Sequence, residues 1–233
     1  MPPRLNERMR SRFVRDEVSD AQVDHEAAVV GPLAQAVRGL VDAVIRTEVD
    51  DAEIEAVRRE VEALTARLRA RELDGSYGTR LSATGRVRNW GNAVIGVRNA
   101  VAPPLDIERA DGRIRSDFVL GAAYEGPPGL VHGGVAALVL DQALGEAAAA
   151  GGRPGMTGTL TLRYREATPL GALRVEAEID RVEGVKTFAR GRLLARHDDG
   201  SEPTVCVEAE GVFILPRWAR GRAEDAAATV DAI

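Results

Sequence analysis

Two hydrophobic periods run through this chain. In the first third, apolar residues recur every three or four positions; in the second half they mostly alternate. From His25 to Val49, Val29, Leu33, Val37, Leu40, Val41 and Val44 fall on one face, which predicts a helix. Pro32 fits there in a first turn or as a break. From residue 50 to 73, Ile54, Val57, Val61, Leu64 and Leu68 step by 3, 4, 3 and 4, with mainly Arg, Glu and Ala between them. Two heptads of this narrow a/d-type seam are too few for a free coiled coil. They predict a helix packed on a neighbour or across an oligomer contact. Asp74-Gly75 predicts its end, with the glycine as C-terminal cap. Residues 1–75 therefore read as an N-terminal helical extension.

The alternating segments predict strands. Arg113 to Tyr124 is the first. Thr157 to Ala167 sets Leu160, Leu162 and Tyr164 on one face. Leu173 to Val182 sets Val175, Ala177 and Ile179 against Arg174, Glu176, Glu178 and Asp180. Thr187 to His197 and Thr204 to Leu215 continue the pattern. Turn signals separate them at Pro169-Leu170-Gly171, Glu183-Gly184 and Asp198-Asp199-Gly200, which predicts an antiparallel meander. One long helix, Val131 to about Ala150, precedes the last four strands. The class is α+β.

That helix carries the candidate chemistry. Val131 to Gly145 reads VHGGVAALVLDQALG, with Asp141 as the one formally charged residue. A helix apolar on all sides is normally buried. An ionised carboxylate within it costs several kcal/mol unless compensated. Gly133 and Gly134 at its start offer backbone N–H groups that a ligand can approach closely. The plain alternative is a tight loop entering a core helix, with Asp141 bonded to nearby backbone.

Composition narrows the setting. The 233 residues suit one domain plus an extension. Aromatics make up 4%, so Val, Leu, Ile and Ala must build the core. A net charge of −5 argues against bulk attraction to nucleic acid. Arg4, Arg8, Arg10, Arg12 and Arg15 resemble a basic arm, but residues 1–75 hold 12 arginines against 16 acids, a net of −4. Cys206 is the single cysteine, which excludes an internal disulfide; its strand-like setting suggests a small packed residue. The first 20 residues lack the apolar core of a signal peptide, and no run approaches 18 apolar residues. A soluble cytoplasmic protein with neither a nucleic-acid nor a membrane partner is expected. No H-E-x-x-H or C-x-x-C motif is present, so no metal is expected, and no other cofactor.

Several motifs stand in order around the helix. Asn99 to Leu105 reads NAVAPPL, Tyr124 to Gly129 reads YEGPPG, then come His132-Gly133-Gly134 and Asp141. Gly155 to Tyr164 reads GMTGTLTLRY, followed by Thr168-Pro169-Leu170. Together they resemble the hotdog-fold acyl-CoA thioesterases, specifically the PaaI-like branch, over residues 85–218. The resemblance implies a hotdog fold, an antiparallel sheet wrapped around one long central helix; the Ala-, Arg- and acid-rich residues 219–233 read as a loose tail. It implies hydrolysis of acyl-CoA thioesters by a homodimer or a dimer of dimers. Residue by residue, the Gly133 N–H matches the donor to the thioester oxygen and Asp141 the base or nucleophile. Thr157 matches a hydroxyl that assists the acid or the water. His132 matches a structural or substrate-positioning histidine, with Gly134 beside it. Lys186 stands where relatives often carry a basic residue, able to meet a CoA phosphate as a point charge. The chain departs from the pattern at Gly126-Pro127-Pro128-Gly129, where the family often has a polar side chain.

Helix geometry adds a constraint. Eight residues of continuous helix span roughly 12 Å, whereas donor and attacking group must both lie within roughly 3 Å of one carbonyl. Gly133 and Asp141 of one chain cannot both do so, and the acid must meet the glycine of another copy. The alternative function is a non-catalytic acyl-CoA-binding hotdog, a sensor or interaction module with the N-terminal helices as output. An α/β-hydrolase is disfavoured because none of the six serines sits in G-x-S-x-G. A hotdog dehydratase would want a His/Asp pair on one loop, which is not found.

Overall fold

A computed structural model describes residues 13–103, 105–197 and 199–216. Arg4, Arg8, Arg10 and Arg12 of the basic cluster and the expected tail 219–233 lie outside the described residues. The chain forms two compact units that divide between Ala102 and Pro103. Residues 85–102, which the motif reading joined to the hotdog domain, thus fall in the first unit.

In the first unit, β1 (Phe13–Arg15), β2 (Thr79–Leu81) and β3 (Val87–Arg88) make a small sheet, with β1 and β2 parallel. The periodicity missed it because its strands have two or three residues. Helix α1 (Asp20–Arg46) starts at Ser19, whose side chain accepts from Gln22 N in a capping box. Pro32 lies inside it. The residue before proline resists helical angles through its Cβ, and here it is Gly31, which has none. Helix α2 (Asp51–Arg69) is capped by Asp50 and ends at Ala70, before Gly75. Arg67 and Arg69 in its last turn suit the negative end of the helix dipole. Gly75, at φ +98°, turns the chain five residues after Ala70. Arg88 is buried, ion-paired to Asp16 and Glu26, with its guanidinium 5.6 Å from the Trp90 ring centre.

The second unit is a hotdog fold. Helix α3 (Gly133–Ala150) lies on a six-stranded antiparallel sheet. Its strands are β4 (Glu108–Ala110), β5 (Arg113–Leu120), β6 (Met156–Tyr164), β7 (Gly171–Glu183), β8 (Lys186–Ala195) and β9 (Thr204–Ile214). β5 stops at Leu120, and Ala122–Tyr124 is a short 3₁₀ turn instead of more strand. Ala136, Val139, Leu140, Ala143, Leu144 and Ala147 of α3 are buried against Phe118, Leu173, Val175, Leu193, Val207 and other inward side chains. Cys206 is buried among them.

The strand order is β4-β5-β7-β8-β9-β6. Only β7-β8-β9 form the expected meander. β6 pairs with β9 at the far edge, so the segment after β6 is a crossover and not a hairpin turn. It passes the start of α3: Val131 N donates to Thr168 O, and Leu170 N donates to Gly129 O. β8 and β9 lie between β7 and β6 in the sheet, which local turn chemistry cannot reveal.

Candidate active site

His132 is the N-cap of α3, and its Nδ1 accepts from Gly134 N at 3.0 Å. In the neutral ring the proton therefore sits on Nε2. The Gly134 N–H is thereby engaged, and the imidazole serves as a cap. The loop before it is held tightly. Glu125 accepts from Gly129 N at 2.7 Å, and His132 N donates to Tyr124 O. A Cβ on Gly126 would stand 2.7 Å from the His132 Cα, so glycine lets this loop close against the cap. Gly-Pro-Pro-Gly thus shapes backbone and offers no side-chain chemistry.

Gly133 is the first helical residue. Among the described residues its N–H meets no acceptor, as expected of a first-turn donor. Its carbonyl accepts from the Tyr164 hydroxyl at 2.9 Å. A cleft of about 430 Å³ opens here, lined by Gly133, Tyr164, Pro127, Leu130, Ala136 and Thr168. The donor and the helix field both point where a carbonyl oxygen gaining negative charge would sit.

Asp141 lies eight residues further along the same unbroken helix. It is half-buried in the single chain, not buried as its apolar surroundings predicted. The helix is covered on one face only, and Gly134, Leu138 and Asp141 share an uncovered face at i, i+4 and i+7. Leu138 is 40% exposed there. The Thr157 hydroxyl donates to Asp141 Oδ1 at 2.8 Å.

A β-bulge makes that bond possible. Thr157 pairs with Phe213 and Thr159 with Val212, so Gly158 is the extra residue. Phe213 is buried beneath α3, and Thr157, directly opposite it, faces α3 too. Regular alternation from Leu160, Leu162 and Tyr164 would turn Thr157 outward. A Cβ on Gly158 would come within 2.8 Å of Ile214 Cδ1, the end of a side chain that would have to turn aside.

Lys186 is exposed at the start of β8. It pairs with Ile214, which pairs with Met156, so one strand separates it from the residue before Thr157. Two strand spacings put these backbones roughly 10 Å apart. The structure therefore brings Asp141 and Thr157 together. It gathers His132, Gly133 and Gly134 at the helix start, and leaves Lys186 exposed outside the cleft at Gly133. The sequence reading missed Tyr164 and Gly158 as site residues. Only the inward face of β6 hinted at Tyr164.

A larger concavity of about 760 Å³ lies on the outer face of the sheet, away from these residues. Its charges neutralise one another, as in Arg190–Glu178 at 2.7 Å and Arg192–Glu176 at 3.0 Å. The Arg190 guanidinium holds the Glu178 carboxyl below the ordinary glutamate range. Among the described residues, no three His, Cys, Asp or Glu side chains are placed to share a metal ion.

The thioesterase superfamily profile matches residues 128–201. Acyl-coenzyme A thioesterase THEM4 of Xenopus laevis is 35% identical over 109 residues, 46% of this chain and 46% of that protein. Acyl-coenzyme A thioesterase THEM5 of Homo sapiens is 32% identical over 98 residues, 42% of this chain and 38% of that protein. The chain thus matches less than half the length of these curated relatives. A crystal structure described as a thioesterase superfamily protein is 38% identical, with a TM-score of 0.68. That match covers 79% of this chain and 94% of the other.

Proposed function

This chain belongs to the thioesterase superfamily, and from that premise we propose that it hydrolyses acyl-CoA thioesters to a free acid and CoA. The observation that carries the reading is the pair of groups on α3. An unengaged N–H stands at its start, and a carboxylate held by a hydroxyl stands two turns later, 2.8 Å from Thr157 Oγ1. The carboxylate supplies the attacking oxygen, by taking a proton from water or by attacking directly. As the carbonyl carbon becomes tetrahedral, its oxygen gains negative charge and accepts from the Gly133 N–H. Collapse breaks the C–S bond, and the CoA thiolate takes up a proton; where Asp141 attacked directly, water then cleaves the acyl–aspartyl anhydride to release the acid and regenerate the carboxylate. A protein that only bound acyl-CoA would gain nothing from the Asp141–Thr157 pair.

The site belongs to a homodimer in this reading. Roughly 12 Å of continuous helix separate Gly133 from Asp141, so each thioester is held between the glycine of one copy and the acid of the other. Antiparallel α3 helices satisfy this when the two-fold axis passes near residue 137, midway between them. Half-exposed Leu138 and small Gly134 fit such a contact. Among the described residues the outer edge of β6 has no strand partner, and long bare edges invite pairing with another chain. We also propose the PaaI-like branch and a cytoplasmic location.

The test is release of free thiol from a panel of acyl-CoAs of increasing chain length, by the native protein and by Asp141→Asn. Release by the native protein, largely lost in the variant, is expected. Binding without release from any member would favour the acyl-CoA sensor instead.

A further inference from the structure

We infer that α2 is a docking surface for the α2 of a second copy of this chain, the two helices running parallel. The inference rests on the homodimer proposed above. None of the 19 residues of α2 is buried. Four of its five seam residues are exposed, Leu64 by 52% and Leu68 by 59%, and Val61 in the middle of the seam is half-buried. Ile54, Val61 and Leu68 occupy a positions and Val57 and Leu64 occupy d positions. β-Branched a residues with Leu at d favour two parallel strands, and this seam has two such a residues and one such d residue.

The flanking charges select the orientation. In this register Glu53, Glu60 and Arg67 are g residues, and Arg58 and Thr65 are e residues. In a parallel pair each g side chain meets the e side chain five residues on in the other copy. Glu53 then meets Arg58 twice, and Glu60 meets the neutral Thr65. In an antiparallel pair g meets g and e meets e. Glu60 then faces Glu60 and Arg58 faces Arg58, which offsets the two Glu53–Arg67 attractions, and Leu68 is set opposite Asp50. The parallel pair has attractions and no repulsion. Arg58 already bridges Glu55 at 2.8 Å and Glu62 at 2.6 Å on its own helix. Both bonds are exposed, and a guanidinium with five donors can donate to a third carboxylate.

Two heptads do not hold a coiled coil alone. Tethering to a dimer formed elsewhere raises the local concentration of α2 to the millimolar range, which lets a short seam close.

The test is disulfide trapping in the full chain with Cys206→Ser. Ile54→Cys and Leu64→Cys are made singly, and Ala66→Cys on the far side of the helix is the control. A disulfide needs Cα atoms within roughly 7 Å. Parallel helices bring like layers together, so Ile54→Cys and Leu64→Cys each cross-link alone. Ala66→Cys, turned away from the other copy and beyond disulfide reach, should not link on the same timescale. Linking only when Ile54→Cys and Leu64→Cys are mixed would mean antiparallel helices and overturn the inference. So would no linking, or linking no faster than Ala66→Cys. The mass of the unmodified chain separates the two readings. A dimer whose α2 does not link loses only this inference, whereas a monomer loses the shared site as well.

Discussion

Asp141 and Thr157 are joined by one hydrogen bond, and their substitutions should differ in size. Asn at 141 keeps the shape but neither takes a proton nor attacks. Asp141→Asn should lower turnover by roughly 10²–10⁴ while acyl-CoA binding persists by calorimetry; near-native turnover contradicts the role. Thr157→Val removes a supporting bond worth roughly 0.5–1.5 kcal/mol, a slowing from about twofold to about tenfold. A loss equal to that of Asp141→Asn would mean the roles are reversed. Gly133 and Asp141 stood out because each breaks its surroundings, glycines at a helix start and an acid in an apolar run, whereas Thr157 was marked only by the family resemblance. The half-exposure of Asp141 was not legible, because the sequence marks an apolar face without saying whether its own chain covers it. Tyr164 looked like one more inward aromatic until its hydroxyl was placed on the Gly133 carbonyl.

Elements carry the next level of the site. The bulge at Gly158 determines which way Thr157 faces, and a period-two reading of β6 puts that side chain on the wrong side of the sheet. Gly158→Val brings side-chain atoms against Ile214 Cδ1 and favours straight pairing. Thiol release should then fall at least as far as for Thr157→Val, and adding Ile214→Ala should restore part of it. Full activity in Gly158→Val would show that the bulge does not matter.

Helix α1 raises a different question at this scale. By length and composition it is long and apolar enough to cross a membrane, although its sequence has no unbroken apolar run. Its polar side chains argue otherwise. Asp20 accepts from Thr84 and then Ser82, which hold its carboxyl below the ordinary range, and Asp24 pairs with Arg86. Arg38 donates to Ala102 O at 3.2 Å. From Asp20 to Arg38, roughly 27 Å of helix is tied to polar parts of its own unit, which leaves too little to span. Full-length protein should therefore stay in the supernatant when membranes are pelleted. Pelleting that survives carbonate washing would contradict this. Helices and central strands were readable because the apolar period repeats over many residues. The position of β6 was not, because it depends on what its connection must pass.

At the scale of the whole molecule, the account stands on one continuous helix that holds two groups too far apart to serve one substrate. That distance was legible before any coordinates, since the rise of a helix is fixed. Which surfaces meet was not, because the half-exposed face of α3, the open edge of β6 and the seam of α2 each need a partner to be interpreted. The most direct test mixes two defects. Asp141→Asn removes the acid. Gly133→Val keeps the N–H but puts a branched side chain in the cleft. Its Cβ would lie 3.4 Å from the Tyr164 hydroxyl, an ordinary contact, so the fold should tolerate it. Each variant alone should be nearly inactive. After joint unfolding and refolding at equal amounts, about half the dimers are mixed, and each mixed dimer holds one site with both defects and one with neither. Thiol release should return to roughly a quarter of the native rate. If mass measurement confirms mixed dimers and no activity returns, the site lies within a single chain and the account is contradicted.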